Sequence, residues 1–208
     1  HKKFSNFTIK FSFFFFLKSL IIFLLILQPD LGQTLLIGLS WLILIFISGI
    51  NLFLLTSIFV IGILLLLYIV LYIPKFEYIK NRLLSFFDSE SGTHNFQSDK
   101  ALESITSGGF FGKGIGEGTL KNRVPEAHTD YIISVISEEF GVIAIMLILV
   151  LFLVFIFSIL KKVDKETNDT IRLILVGASS LILLQAMIHI GVNIRLFPTT
   201  GMTLPFLS

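Results

Sequence analysis

Two carboxylates near residue 130 are the side chains of this sequence best placed for acid–base chemistry. Asp130 precedes an apolar stretch, and Ser134 and Glu138 follow it at four-residue steps. Side chains four apart lie on one face of a helix, so the spacing predicts that both carboxylates face one outer surface. A carboxylate there suits general base catalysis, but Thr129 or Asp130 directly before a helix also suits a helix cap. From spacing alone, the cap is the more ordinary role.

A glycine-rich run over residues 108–118 looks like a phosphate-binding loop at first sight. It lacks the P-loop pattern, because Ser107 and Gly114 stand where that pattern needs Gly before, and Ser or Thr after, the Gly112–Lys113 pair. It also lacks the spacing of dinucleotide-binding glycines. Two interpretations stay open: its amides and Lys113 approach a pyrophosphate, or the run forms a hinge or re-entrant turn.

The sequence gives little support for a metal held by protein alone. His94, His128 and Asp130 are the available ligands, but the two histidines are 34 residues apart. The absence of cysteine from the sequence excludes disulfides and thiolate zinc sites. We therefore assign no metal ligand.

The elements that must position these side chains are membrane helices. Of the 208 residues, 54% are hydrophobic and 14% are charged, which is unlike a soluble domain, and a net charge of +2 gives no argument for nucleic acid as a partner. Five apolar stretches can each cross about 30 Å of hydrocarbon, the first two only just. They cover residues 11–27, 31–48, 52–73, 131–160 and 171–193. The sequence predicts an all-α polytopic membrane protein.

Basic residues orient the bundle. Lys2, Lys3 and Lys10 precede the first stretch, and Lys161 and Lys162 lie between the fourth and fifth. Short basic loops stay cytoplasmic, and the four crossings between these two segments allow both to do so. The loop of residues 74–130 then faces outward, and its length predicts a functional loop. Its apolar interruptions predict half-buried or interfacial segments: Leu83, Leu84, Phe86, Phe87, Phe110 and Phe111.

The last apolar stretch carries a polar stripe at four-residue steps, formed by Gln185, His189 and Asn193. Polar side chains in a membrane helix face protein or water and avoid lipid. The small residues 177–180 earlier in this stretch allow close helix packing. We expect the stripe to form hydrogen bonds between elements rather than to act in catalysis.

Five blocks, in this order, resemble the SEDS family of bacterial cell-wall glycosyltransferases. They are residues 28–32 (QPDLG), 81–83 (NRL) with the stretch to Gln97, the run 108–118 (GGFFGKGIGEG), 125–131 (PEAHTDY) with 138–141 (EEFG), and 198–208 (PTTGMTLPFLS). The last two are more similar to the division branch, FtsW, than to the elongation branch, RodA. Family members have ten membrane helices, so we expect this chain to be a fragment carrying the fifth to ninth.

The resemblance implies a function. Members polymerise lipid II into glycan strands at the outer face of the bacterial cytoplasmic membrane during cell division, and undecaprenyl pyrophosphate is the leaving group. Expected partners are a class B penicillin-binding transpeptidase and other divisome proteins. A divalent cation, Mg²⁺ or Mn²⁺, is the expected cofactor, without an organic one.

The resemblance also implies a site. The family's essential loop aspartate corresponds to Asp130, which we therefore expect to be the catalytic base. We assign other polar loop residues to substrate binding, with the cations meeting the pyrophosphate: Lys113, Lys121, Arg123, Gln97, Glu126, His128 and Glu138.

The chain departs from the family pattern at a few positions. Asp88 precedes Ser89 where Pro is usual, His189 stands where members commonly have Asn, and Arg195 where they often have a small residue. Two other functions stay open. A lipid II flippase would need a polar path across the membrane, for which the stripe is the candidate. A noncatalytic divisome scaffold would need no reactive carboxylate.

Overall fold

The computed structural model describes residues 16–28, 30–87, 93–118 and 129–207, where the regular secondary structure is helical. A 3-10 turn over Pro74–Phe76 separates the third and fourth helices. The helices in chain order are α1 (Phe16–Leu27), α2 (Leu31–Ile47), α3 (Leu52–Tyr72), α4 (Glu77–Phe87), α5 (Thr93–Gly108), α6 (Ile132–Lys165) and α7 (Asp169–Asn193).

Three of the described helices, α3, α6 and α7, are long and apolar enough to cross a membrane. In the most apolar 18-residue window, 6% of α3 and 6% of α6 are buried inside the protein, against 33% of α7. The exposed side chains of α3 and α6 are mainly Leu, Ile, Val and Phe, which suit contact with lipid. α1 and α2 are apolar but shorter. The prediction of an all-α polytopic membrane protein is confirmed.

Polar side chains start several of these helices. Asp30 caps α2 by accepting a hydrogen bond from the Gln33 amide at 3.0 Å. Asn51 and Asn168 cap α3 and α7 in the same way. An oxygen at this position satisfies an amide that has no partner within the helix. The ends of the apolar stretches are therefore fixed by the sequence itself.

The loop between α3 and α6 contains two helices, α4 and α5. α5 packs against α6 and α7, and its Ala101 is fully buried in a core shared with Tyr131 and Val192. Of the apolar residues expected to be half-buried, Leu83 and Phe86 are so. Four others are exposed within the protein, so for them the interfacial alternative stays a prediction: Leu84, Phe87, Phe110 and Phe111.

α6 is interrupted at Gly141, whose φ of 78° and ψ of −179° are not helical. An interruption leaves amides and carbonyls without helical partners, and a membrane provides no water to satisfy them. The glycine-rich run supplies the partners. The Lys113 amide donates to the Glu138 carbonyl at 2.9 Å, and the Val142 amide donates to the Gly109 carbonyl at 2.9 Å.

Residues 108–118 therefore form a docked turn, hereafter the glycine turn. A Cβ on Gly112 would lie 2.2 Å from the Glu139 carbonyl oxygen, and one on Gly108 would lie 1.9 Å from the Ser137 oxygen, so only glycine allows this approach. The Gly116 amide also donates to the Glu139 carboxylate at 3.2 Å. Because its amides serve the protein itself, the geometry favours the re-entrant turn over the phosphate loop.

The segment after α7, residues 194–207, returns between α7 and α2. It leaves the helix through Arg195, which has a φ of 60° and forms an ion pair with Asp99 of α5. The amide of Leu196 donates to the Gly191 carbonyl at 2.7 Å. Further along, a Cβ on Gly32 would lie 2.7 Å from the Met202 side chain, so this glycine lets the segment pack directly on α2. We call residues 194–207 the C-terminal segment.

Candidate functional site

Asp130 lies immediately before the first residues of α6. Tyr131 occupies the N-cap position, and no side-chain hydrogen bond caps α6 at that position. Asp130 is therefore one residue before the N-cap position, and its interpretation as a helix cap stays a prediction beside the catalytic one. The turn is closed by Ser134, whose amide and hydroxyl donate to the Tyr131 carbonyl at 2.9 and 2.7 Å.

Asp130 is held by α7 and by the C-terminal segment. Asn193 Nδ2 donates to the Asp130 carbonyl oxygen at 3.0 Å. On the other side, a Cβ added to Gly201 would lie 3.6 Å from Asp130 Oδ2, which places the carboxylate beside this glycine. Gly201 has a φ of +66°, a conformation that glycine adopts without strain. Residues distant in sequence therefore fix the position of Asp130.

The polar stripe of α7 makes these connections. Gln185 Nε2 donates to the Thr203 carbonyl at 3.0 Å, and His189 Nδ1 lies 2.7 Å from the Met202 carbonyl oxygen. A carbonyl only accepts, so His189 Nδ1 carries the proton in this contact. The His189 and Asn193 side chains are 1% and 0% exposed. The expectation that the stripe serves hydrogen bonding between elements is confirmed.

A cavity of about 170 Å³ opens beside Asp130. Its lining combines a carboxylate, a guanidinium and a carboxamide with a few apolar groups: Arg82, Gln97, Asp130, Tyr131, Val192, Thr199, Gly201 and Met202. Arg82 Nη1 donates to the Thr199 carbonyl at 3.1 Å, so α4 is tied to the C-terminal segment at the cavity. The site is assembled from α4, α5, the start of α6, α7 and the C-terminal segment.

Arg82 is a site residue that no pattern in the sequence indicated. It precedes Asp130 by 48 residues and has no helical spacing to it, so only the packing of α4 reveals their proximity. The one available signal was its place in the second block that carries the family resemblance. Gln97, which was assigned from the sequence, lines the same cavity.

Glu138 and Lys113 lie elsewhere. The expectation that Glu138 shares an outer surface with Asp130 is wrong, because its side chain is fully buried between α5 and the glycine turn. It accepts a hydrogen bond from Ser104 at 3.2 Å and pairs with Lys113 Nζ at 3.3 Å. Lys113 also donates to Ser107 at 3.0 Å. Neither Lys113 nor Glu138 is among the residues that line the cavity.

Four further candidates, Lys121, Arg123, Glu126 and His128, fall outside the described residues. Their assignment to substrate binding stays a prediction. Within the described ranges, no group of three or more His, Asp or Glu side chains is arranged to hold a metal ion.

The fold and the site define a polytopic helical membrane protein that holds an aspartate, an arginine and a glutamine in one cavity at the end of its helices. The chain belongs to the FtsW/RodA/SpoVE family of cell cycle proteins, which it matches over residues 1–208. The family resemblance carried by the five sequence blocks is thereby confirmed.

Curated relatives with similar sequences are described as FtsW proteins. The chain is 35% identical over 195 residues to a probable peptidoglycan glycosyltransferase FtsW of Caulobacter vibrioides, covering 93% of this chain and 49% of that protein. It is 35% identical over 192 residues to a protein of the same description from Hydrogenovibrio crunogenus, covering 89% and 48%. The chain therefore spans about half the length of these relatives.

A solved structure shares the fold. A chain from work on polymerization and crosslinking by a peptidoglycan synthase complex superposes with a TM-score of 0.71 at 24% identity, covering 93% of this chain and 54% of that one.

Proposed function

We propose that this chain carries the catalytic loop of a peptidoglycan glycosyltransferase that polymerises lipid II into glycan strands during cell division. The observation that carries the proposal is the single cavity shared by Asp130, Arg82 and Gln97. Sugar transfer from a pyrophosphate donor needs a base for the acceptor hydroxyl and a cation for the leaving group, and this cavity contains both kinds of side chain.

Asp130 acts as the general base. An acceptor sugar hydroxyl attacks the anomeric carbon, its proton passes to the Asp130 carboxylate, and the bond from that carbon to the pyrophosphate oxygen breaks. Undecaprenyl pyrophosphate leaves with the electron pair. Proton transfer to a positioned carboxylate contributes about 10² to 10⁴ in rate. The hydrogen bond from Asn193 to the Asp130 carbonyl supports this role because it fixes the backbone that carries the base.

Arg82 stabilises the charge that develops on the leaving pyrophosphate. A guanidinium offers paired donors that match phosphate oxygens, and it stays charged at any physiological pH. Arg82 is half-buried in the cavity wall and is oriented by its hydrogen bond to the Thr199 carbonyl. Gln97 orients the sugar by hydrogen bonding. Lys121 and Arg123 stay candidates for the same anion, whereas Lys113 is engaged by Glu138.

The residues of the cavity do not fit a metal held by protein alone. Among the described lining residues, Asp130 is the one carboxylate, the other oxygen donors are neutral, and the charge of Arg82 opposes a second cation. We therefore derive no step through a metal. The divalent cation expected from the family resemblance, Mg²⁺ or Mn²⁺, stays a prediction.

The membrane location and the partner that we propose are those of the family. The complete protein crosses the bacterial cytoplasmic membrane several times, with Lys161 and Lys162 on the cytoplasmic side and the Asp130 cavity outside. A class B penicillin-binding transpeptidase is the proposed partner. The fold shared with a chain from a peptidoglycan synthase complex supports such an assembly.

The flippase alternative has less support. A flippase needs polar groups that line a path across the membrane. The candidates on α7 are hydrogen-bonded within the protein instead: the half-buried Gln185 and the buried His189 contact carbonyls of the C-terminal segment, and the buried Asn193 contacts Asp130. A noncatalytic scaffold would leave the polar cavity beside Asp130 without a use.

The complete protein, assembled with its transpeptidase in proteoliposomes, tests the proposal through Arg82. Polymerisation and transbilayer movement of fluorescent lipid II are measured for wild type, Arg82→Met and Lys100→Met. Lys100→Met removes a positive charge from α5 outside the cavity. We expect only Arg82→Met to abolish glycan strands. If Arg82→Met polymerises as well as Lys100→Met, or if transport alone is lost, the assignment fails.

A further inference from the structure

We propose that the tip of the glycine turn is an anchor that inserts into the acyl region of the membrane, at the end of α6 opposite Lys161. The tip consists of Phe110, Phe111 and Ile115, whose side chains are 74%, 84% and 79% exposed. Three large apolar side chains exposed within six residues are unusual for a surface that faces water.

The backbone of the turn imposes this exposure. The Gly112 amide donates to the Gly108 carbonyl at 2.9 Å, and the Gly114 amide donates to the Glu139 carbonyl at 3.1 Å. A free loop would fold such side chains inward against its own helices. This turn holds them outward because both of its sides are hydrogen-bonded to the broken helix. The exposure of the tip is therefore fixed by the backbone hydrogen bonds of the turn.

The tip is continuous with the lipid-facing side of α6. The Ile143 amide lies 3.4 Å from the Phe110 carbonyl oxygen, so the tip touches the first turn of α6 after the break. From there on, Ile143, Met146 and Leu147 are 52%, 56% and 61% exposed. These side chains belong to the apolar span of α6, which is long enough to cross a membrane and suits contact with lipid. Because the two surfaces are continuous, the lipid acyl chains that surround this part of α6 also surround the tip.

The position along α6 supports contact with acyl chains. Gly141 and Lys161 are 20 residues apart, which corresponds to about 30 Å of helix. This length equals the hydrocarbon thickness of a bilayer, about 30 Å. With the Lys161 ammonium at one boundary, the helix break and the docked turn lie at the other. Lys113 remains within 3.3 Å of Glu138 beside the tip and places its charge at headgroup level.

Single nitroxide probes on the complete protein test this anchor. These 208 residues contain no cysteine, so each substitution introduces the single thiol among them, and any cysteine elsewhere in the complete protein is first replaced by serine. Probes are attached to Phe111→Cys and Ile115→Cys in vesicles of phosphatidylethanolamine and phosphatidylglycerol. Leu147→Cys is the reference for lipid, and Thr106→Cys, exposed on α5, is the reference for water. Collision rates with oxygen and with a water-soluble nickel complex are then compared.

We expect the ratio of oxygen to nickel collisions at Phe111 and Ile115 to be several-fold higher than at Thr106 and to approach the ratio at Leu147. A ratio equal to that at Thr106 means that the tip lies in water and overturns the proposal. Low collision rates with both reagents mean that protein covers the tip, which also overturns it. Phe111, Ile115 and Leu147 are exposed and carry no described side-chain hydrogen bond, and the exposed Thr106 hydroxyl donates only to carbonyls of its own helix. Unchanged thermal unfolding verifies that each labelled protein is folded.

Discussion

Two regions connect the outer loop to the membrane helices, and they do so in opposite ways. At the α7 stripe, side chains of Gln185, His189 and Asn193 contact backbone carbonyls of other segments. At the glycine turn, backbone contacts backbone across the interruption at Gly141. The first connection depends on which side chains are present, and the second depends on side chains being absent.

This difference determines how each region responds to change. We expect the α7 stripe to tolerate any residue that keeps a donor facing the same carbonyl, as His189 Nδ1 faces the Met202 carbonyl. The glycine turn tolerates almost nothing at its contact positions, because a single methyl group would overlap a carbonyl oxygen. The stripe positions Asp130, the proposed base, whereas the glycine turn positions an apolar surface.

The largest effect on stability is expected at the glycine turn. Gly112→Ala adds a Cβ 2.2 Å from the Glu139 carbonyl oxygen at a φ of +78°, and we expect a loss of about 2–5 kcal/mol from overlap and strain together. Gly109→Ala is the matched control, because its φ is +58° but its Cβ meets nothing within 4 Å. Thermal unfolding of the complete protein in detergent compares the two. Equal losses would show that conformation alone matters and that the close contact does not.

The next effect concerns the buried carboxylate beneath the turn. Lys113→Met removes the cation 3.3 Å from the fully buried Glu138, and we expect a loss of about 1–3 kcal/mol. The double variant Lys113→Met/Glu138→Gln should recover most of this loss, because no buried charge remains. Polymerisation by the double variant then separates two roles for Lys113. Activity close to wild type supports a structural role, and lost activity at recovered stability returns Lys113 to substrate binding.

A smaller loss is expected at the α7 stripe. Asn193→Ala removes the donor to the Asp130 carbonyl, and a loss of about 1–2 kcal/mol is expected for the unsatisfied buried groups. Ser179→Ala on the same helix is the control, because the Ser179 hydroxyl contacts only the Val176 carbonyl of its own helix. Polymerisation should fall in Asn193→Ala but not in Ser179→Ala. Equal polymerisation by both would separate the stripe from the function of Asp130.

The smallest effect is expected at Arg195. Arg195→Gly relieves a positive φ, worth about 1 kcal/mol, and loses the ion pair with Asp99, worth about 0.2–1 kcal/mol. The net change in the free energy of unfolding should be near zero. Asp99→Asn should destabilise wild type slightly and leave Arg195→Gly unchanged. A clear loss on Arg195→Gly would show that the ion pair contributes more than partly exposed pairs usually do.

The sequence predicted the parts of this molecule that local patterns determine. The lengths of the apolar stretches predicted the membrane helices, and the four-residue spacing of polar residues predicted the α7 stripe. Asp130 came from the family resemblance, since spacing alone favoured a helix cap. Spacing failed for Glu138, because its helix face is covered by α5 and the glycine turn. It also missed Arg82, since the packing of α4 beside Asp130 depends on contacts between residues far apart in the chain.

The most direct test of the account is the polymerisation of purified lipid II by the complete protein with its transpeptidase, wild type against Asp130→Ala. Assembly with the transpeptidase, membrane insertion and lipid II binding are measured on the same preparations. We expect strand formation to fall about 10²-fold or more while assembly and binding persist, because only the base is removed. Strands formed at the wild-type rate would contradict the assignment of Asp130 as the base and reopen the flippase and scaffold functions.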